Sequence, residues 1–316
     1  MEAKHDSVLM EEVHAALHVR PSETVVDGTL GGAGHFSALL AELGEGGTIV
    51  GIDADSAAVE RGREAYAKDR RPERPVAHLV NDNFRNLARI LERLGLGHVD
   101  AILLDLGWSG YQVSAPRGFS FQSDEPLLMS YSDSGLTAAE IVNSYSEQDL
   151  ADILHVYGEE RFARGIARAI VAARAKERLL TTAALVAAVV AGTPRWYQHG
   201  KTHPATKTFQ ALRIATNDEL GALKEGLTAA LAALAPAGRL AVITFHSLED
   251  RIVKTMLREA AERGEGALEP KKAIAPSRAE VLANRRARSA KLRVFVHAAA
   301  PLAEPVGTAN ATLSYA

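Results

Sequence analysis

VVDGTLGGAGHF, residues 25–36, sets two valines, an aspartate and four glycines directly ahead of a helical pattern, HFSALLAEL. That order reads as strand, turn, helix. Glycines let the backbone adopt positive φ and approach a ligand closely. The first amides of the helix then have no partner within the helix and face whatever the turn holds. A dinucleotide, a phosphate or a phosphate-free nucleoside cofactor would each suit such a turn.

Outward from the turn, the chain alternates. Short β-branched runs (TVVD at 24–27, TIVGID at 48–53, VAHLV at 76–80, VDAILLD at 99–105) are separated by helix-length segments at 34–43, 55–67 and 85–94. Near-continuous apolar strands alternating with helices predict a parallel sheet covered on both faces. Another unit follows late. Leu220, Leu223, Leu227, Leu231 and Leu234 recur at helical spacing, PAG at 236–238 reads as a turn, and RLAVITF at 239–245 as a strand. AKLRVFVHA at 290–298 reads as a last, edge strand. The middle contrasts with both ends. Residues 134–206 carry only helical patterns, TAAEIVNSY, EQDLADILHVYG, EERFARGIARAIVAARAKE and TTAALVAAVVAG. The predicted architecture is therefore an α/β core, 1–133 and 207–316, with an inserted helical subdomain at 134–206.

Composition narrows the class. The 316 residues are 47% hydrophobic and 24% charged, as in a globular protein with a real core. With no cysteine there is neither a disulfide framework nor a thiolate metal site. No histidine pair has zinc-like spacing, so no metal is expected. The N-terminal MEAKHDSVLMEEV lacks a signal-peptide core, and the longest alanine/valine run, 183–191, is about half a membrane span. A cytoplasmic protein without a membrane partner is expected. Net charge is −3, but residues 271–293 hold eight Lys/Arg against one acid, Glu280. Residues 193–213 hold Arg195, Lys201, Lys207 and Arg213 with no acid, interleaved with Trp196, Tyr197 and Phe209. Two such runs on an acidic chain point to a polyanion. Lys201, Lys207, Arg213, Arg285, Arg286 and Arg288 are the candidate contacts.

The strand ends choose the cofactor. The turn lacks the third glycine of the dinucleotide fingerprint, because Ser37 stands three places beyond Gly34. Asp53, nineteen residues after Gly34, is placed to accept from the two hydroxyls of a ribose, with Asp55 better suited to cap the next helix. Asp82 or Asn83 with Phe84 would supply an edge hydrogen bond and a flat face for adenine. Strands ending in Asp27, Asp53, Asn81 to Phe84 and Asp105 line one crevice at the carboxyl edge of the sheet. An acidic rim suits a cationic, phosphate-free cofactor, and S-adenosylmethionine fits that description.

Nearly the whole chain resembles the bacterial 16S rRNA cytosine-N4 methyltransferase family. The resemblance rests on HDSVLMEEV, DGTLGGAGH, GIDAD, DLG, RGFSF, YGEERFARGIARAI, HPATKTFQALRIATNDEL, FHSLEDRIVK and RARSAKLR, in this order. It implies a Rossmann-like S-adenosylmethionine-dependent methyltransferase core with a helical insertion that recognises substrate. It implies methyl transfer to the exocyclic amine of a decoding-region cytidine in small-subunit rRNA, free or within a 30S particle. By position, the family's cofactor contacts fall on Ala33, Gly34, His35, Asp53, Phe84, Asp105 and Gln112. Three stretches depart from the family pattern. DLGWSGYQ stands for D-L-G-V-S-S-P-Q, DEPLLMS for D-G-P-L-D-M-R (Leu128 and Ser130 replacing an acid and an arginine), and NRRARS for NPRARS.

For the chemistry, Asp105 and the backbone of 106–109, with Ser109 a further candidate, stand where acceptors for the amine's hydrogens are needed. The cytosine lone pair is delocalised into the ring, and such acceptors restore its electron density. A cytidine must leave its stack to be reached, and Trp108 and Tyr111 are the aromatics placed to receive it. Asp124, Glu125 and Asp133 remain in the altered loop to take over hydrogen bonding. His246 reads as structural, beside a capping box based on Ser247. Two rivals stay open: a degenerate relative that binds rRNA or ribosomal particles without turnover, and a nicotinamide oxidoreductase.

Overall fold

The structure is a computed structural model that describes residues 7–107, 111, 115–132, 135–200 and 202–299. Its centre is a seven-stranded sheet in the order β3-β2-β1-β4-β5-β7-β6. The strands are β1 (Thr24–Asp27), β2 (Thr48–Asp53), β3 (Val76–Asn81), β4 (Val99–Asp105), β5 (Leu234–Thr244), β6 (Gly266–Leu268) and β7 (Lys291–His297). β1 to β5 are parallel, while β7 runs antiparallel to both β5 and β6. The order turns back between β1 and β4. In open α/β sheets that switch point is where the strands' carboxyl ends leave a crevice.

Alternation along each strand sends side chains to two separate cores. Val25, Ile49, Leu103, Ala241 and Ile243 face one layer, formed by α1 (Met10–Leu17), α2 (Gly34–Glu42), α3 (Ser56–Lys68) and residues around Ala287 and Ala290. Val26, Val50, Ile102, Leu104, Leu240 and Val242 face the other. That layer contains α4 (Leu87–Arg93), α11 (Glu219–Ala233) and α12 (Ser247–Glu262). Each fully buried aliphatic side chain contributes about 1.5–3 kcal/mol, which is why these runs read as strands from sequence.

Between the halves lie α5 (Ala138–Ser144), α6 (Glu147–Gly158), α7 (Ala163–Arg174), α8 (Thr182–Ala191), the single turn α9 (Arg195–Gln198) and α10 (Thr206–Asn217). They bury a third cluster, including Ile141, Leu150, Leu154, Ile166, Ile170, Leu185 and Val189. This cluster takes in Leu127 and Met129 before the expected insert, and Phe209, Ala211 and Leu212 after it. The helices start on side-chain caps: Thr137 with Glu140 forms a capping box, and Ser146 and Thr181 accept from backbone amides three residues on.

Two strand expectations need correction. The 236–238 turn lies inside β5 as a bulge, with Ala237 at φ 61°. Leu234 already pairs with Val99, and Arg239 resumes pairing with Ala101. β7 is not at the edge, because the three-residue β6 pairs with its outer side. A strand that short is one way to blunt an edge.

Candidate active site

The glycine turn is drawn down onto the sheet. Gly28 donates to the Leu103 carbonyl (2.9 Å) and Leu30 to that of Ile52 (3.1 Å). Gly31, at φ 48°, donates to Asp53 Oδ2 at 2.8 Å. α2 then opens at Gly34 without a side-chain cap, so its first amides point into the crevice. Space at Gly34 is tight: a Cβ on it would lie 2.1 Å from Ser7 Oγ, so that hydroxyl would have to turn away. Ser7 and Val8 wall the cavity on this side.

Five of the expected cofactor contacts, Gly34, His35, Asp53, Phe84 and Asp105, line one cavity at the switch point. Ala33 does not. At φ 60° and 4% exposed, it borders a separate groove behind the turn, between α2 and α3. Gln112, Trp108, Ser109, Asp133 and Lys201 lie outside the described residues. Asp53 also accepts from the Asp55 amide (2.9 Å), and Asp55 caps α3 through Ala57 as expected. Asn83 and Phe84 reach the cavity, but Asp82 is taken by Asn83, Asn86 and Arg89. The Phe84 ring is backed by α11, where a Cβ on Gly226 would lie 2.3 Å from it.

Asp27 lies beneath the cavity, 1% exposed, and accepts from Thr29 while its other oxygen has no partner among the described residues. Asp105 has Oδ1 in the same condition and Oδ2 3.8 Å from His35 Nε2. Burial pushes the Asp105 carboxyl up to about 8, helped by the negative charge of Asp27 and opposed by Arg286. Burial raises Asp27 to about 7. Asp53 is raised to about 6 by burial, against the pull of the Asp55 and Gly31 amides.

The far wall comes from segments whose meeting the sequence does not announce: Tyr131, Asn217, Glu219, Phe245, Glu249 and Arg286. Glu219 accepts two 2.8 Å bonds from Arg213 and one from the Tyr131 hydroxyl at 2.8 Å. Arg213 is therefore not an exposed RNA ligand. It is 4% exposed, and Glu219 outweighs the burial that would otherwise depress its pKa. Arg286 also turns inward, its basicity lowered by burial and partly restored by Asp105. Arg285 and Arg288 remain on the surface. Lys207 is half-buried and donates to the Glu159 carbonyl at 2.8 Å.

His246 is structural, one residue earlier than expected. It is itself the N-cap of α12, with Glu249 accepting from the His246 and Phe245 amides in the capping box. Ser247 bonds Glu159 instead. Glu219, His246 and Glu249 bring ligand-type atoms within 4.8 Å of one another, a grouping invisible in the spacing. Their carboxylates are already engaged by Arg213, Tyr131 and backbone amides. Of the altered family positions, Leu128 and Ser130 lie off the cavity, while Trp108 and Gly110 lie outside the described residues. Leu128 is 39% exposed, Met129 is buried in the helical cluster, and Ser130 bonds Ser132. Asp124 and Glu125 are spent on Ala183, Gly118 and Ser123.

Residues 2–298 match the model of the MraW methylase family. The chain is 48% identical over 300 residues to ribosomal RNA small subunit methyltransferase H of Deinococcus radiodurans, covering 94% of this chain and 91% of that one. It is 46% identical to the protein of the same name from Syntrophotalea carbinolica, covering 92% and 97%. A solved rRNA methylase from Streptococcus thermophilus aligns over 92% of this chain and 93% of its own, at 10% identity and a TM-score of 0.43. With a family match over nearly its whole length and relatives at this identity, the chain belongs to the MraW methylase family.

Proposed function

We propose that this protein is an S-adenosylmethionine-dependent methyltransferase acting on the exocyclic N4 amine of a cytidine in small-subunit rRNA, with the 30S particle as its substrate in the cytoplasm. The observation that carries the reading is the cavity's charge. Three carboxylates, Asp27, Asp53 and Asp105, gather at the switch point, and two of them keep buried oxygens without partners among the described residues. Buried unpaired carboxylates are costly, and a cationic ligand offsets that cost where a pyrophosphate would add to it. The Gly34 cradle, Asp53 and the Phe84 ring then suit a methionine moiety, a ribose and an adenine in turn. Among the described residues no helix is long and apolar enough to cross a membrane.

When bound, the cofactor supplies an electrophilic methyl group on a positively charged sulfur. The chain's residues position the acceptor and manage its proton. In this reading the acceptor lies beyond β4 and β5, where Asp105, Leu106, Gly107 and Phe245 line the cavity. Gly107, at φ 95°, faces the Phe245 ring, which a Cβ there would meet at 3.3 Å. Asp105, once ionised, accepts from the amine's N–H and draws electron density onto the nitrogen. Arg286 favours that ionised form against the charges of Asp27 and Glu249. Holding both reactants in line supplies much of the rate.

The same reading answers the inert-binder alternative. Every described residue expected at the cofactor except Ala33 is in place, and the departures at Leu128 and Ser130 do not touch the cavity. The test is incubation with labelled S-adenosylmethionine and small-subunit particles, followed by digestion to nucleosides. Label is expected in N4-methylcytidine. Asp105→Asn is expected to lower it by roughly 10²–10⁴-fold while the protein still binds S-adenosylhomocysteine. No label on any small-subunit substrate, with cofactor binding intact, overturns the enzymatic reading.

A further inference from the structure

The helical unit carries an aromatic cluster that does not line the cavity and that touches the helical core through Phe162. Trp196, in α9, is 58% exposed. Its ring meets Phe162 and Tyr197 edge-on, with centroids 5.6 and 6.1 Å away. The Arg161 guanidinium lies 4.7 Å from the Trp196 centroid and within 5.2 Å of the other two. One face of the indole is thus covered by a cation while more than half of the side chain stays open.

The cluster is held from beneath. Buried Glu160 accepts from the Tyr197 hydroxyl at 2.6 Å and from the Phe162 amide at 2.8 Å. Gly165 and Gly192 meet backbone to backbone: a Cβ on Gly165 would fall 2.7 Å from the Gly192 carbonyl. That approach fixes the start of α7 against the residues leading into α9. The residues next to the cluster in sequence, Arg164 and Arg195, are exposed. The cluster is also tied to the acceptor side of the cavity. Neighbouring Glu159 accepts from Ser247 and Arg251 at the start of α12, the helix whose Glu249 lines the cavity wall.

We propose that the open face of Trp196 is a stacking platform for an unpaired base of the RNA substrate, with Arg161, Arg164 and Arg195 holding the flanking phosphates. An exposed indole backed by a guanidinium offers what a single-stranded polyanion with flat bases recognises, stacking and positive charge together. The proposal rests on the RNA reading above and adds a second contact point, on the helical unit, for the strand that delivers the cytidine.

Trp108 and Trp196 are the two tryptophans of the chain, so Trp108→Phe leaves Trp196 as the sole indole emitter. This protein is titrated with unlabelled oligocytidylate about ten nucleotides long, comparable to the site sizes of stacking grooves. Affinity is read separately from the anisotropy of a dye-labelled copy. Trp196 emission is expected to fall in step with binding. Trp196→Ala is expected to weaken binding about ten-fold and Trp196→Phe to recover most of it, with affinity for S-adenosylhomocysteine unchanged throughout. RNA binding that is equal in the parent and Trp196→Ala, with constant emission, overturns the platform and leaves the function standing. An unsubstituted protein that binds neither this RNA nor small-subunit rRNA overturns both.

Discussion

At the carboxyl edge of the sheet, Asp27 and Asp105 each keep a buried oxygen without a partner among the described residues, whereas in the helical unit Glu160, fully buried, gives both oxygens to Tyr197 and Phe162. Both regions bury acids within ordered structure. They differ in what completes them. Glu160 is completed by its own chain and acts as a structural pin. Asp105 is completed by something that arrives, and until then burial keeps it near neutral. The sequence shows their different settings, Asp105 after two leucines at a strand end and Glu160 between Glu159 and Arg161, but not what completes each.

The sharpest way to break this contrast is at Arg213, where the two regions adjoin. If the Arg213–Glu219 pair is a structural pin like Glu160, Arg213→Met leaves the largely buried Glu219 with the Tyr131 hydroxyl and no counter-charge from Arg213. A loss of about 3–5 kcal/mol in unfolding free energy is expected, measured by denaturant titration, with no change in the salt slope of RNA binding. A stable variant with a reduced slope would return Arg213 to the RNA surface.

A smaller effect is expected from pH. The folded-state pKa values of Asp105 (about 8) and Asp27 (about 7) lie above the ordinary 3.8, so folding favours their neutral forms. Their contribution to the stability of the ligand-free protein is fully present below about pH 4 and is lost as pH rises through 7 and 8. A bound cation reverses the preference. Affinity for S-adenosylmethionine should therefore rise by up to about ten-fold per pH unit between 6 and 8, and that for uncharged-sulfur S-adenosylhomocysteine by less, as read by calorimetry. Parallel profiles for the two would show that the carboxylates do not sense the sulfur's charge.

Much of this organisation is legible in the residues. Parallel strands buried on both faces leave apolar runs such as TIVGID and VDAILLD, and the turn between them announces itself through glycine. Asp53 and Phe84 are found because each ends a strand. The far wall is not legible, because Tyr131, Glu219, Glu249 and Arg286 come from segments scattered over more than 150 residues and meet only in three dimensions. Basic runs mislead for a related reason: a charge count does not say which way an arginine points. Arg213 and Arg286 turn inward while Arg285 and Arg288 do not. The cap at His246 is within reach of the sequence, since H-S-L-E places a glutamate three residues after it.

The smallest effect belongs to those two surface arginines. Arg285→Gln with Arg288→Gln should lower the log–log salt slope of RNA binding by about 0.7 for each phosphate that these side chains neutralise, with the melting temperature unchanged. An unaltered slope would make the C-terminal basic run a solvated face and leave the helical unit as the main RNA surface.

The way the cavity is closed has a consequence for how the protein is made. Ser7 and Val8 stand at one wall, Arg286 at another, and the Leu9 amide is bound by Glu280 at 2.7 Å. A site walled by both Ser7 and Arg286 is completed late in translation, after the glycine turn and β1 to β4 have already been made. Until residues 278–297 follow, Asp105 lacks its guanidinium and the sheet lacks the strand that seals β5. The nascent chain therefore has most of its sheet before it has the charge balance of the site, and it gains the site only once Arg286 has been made.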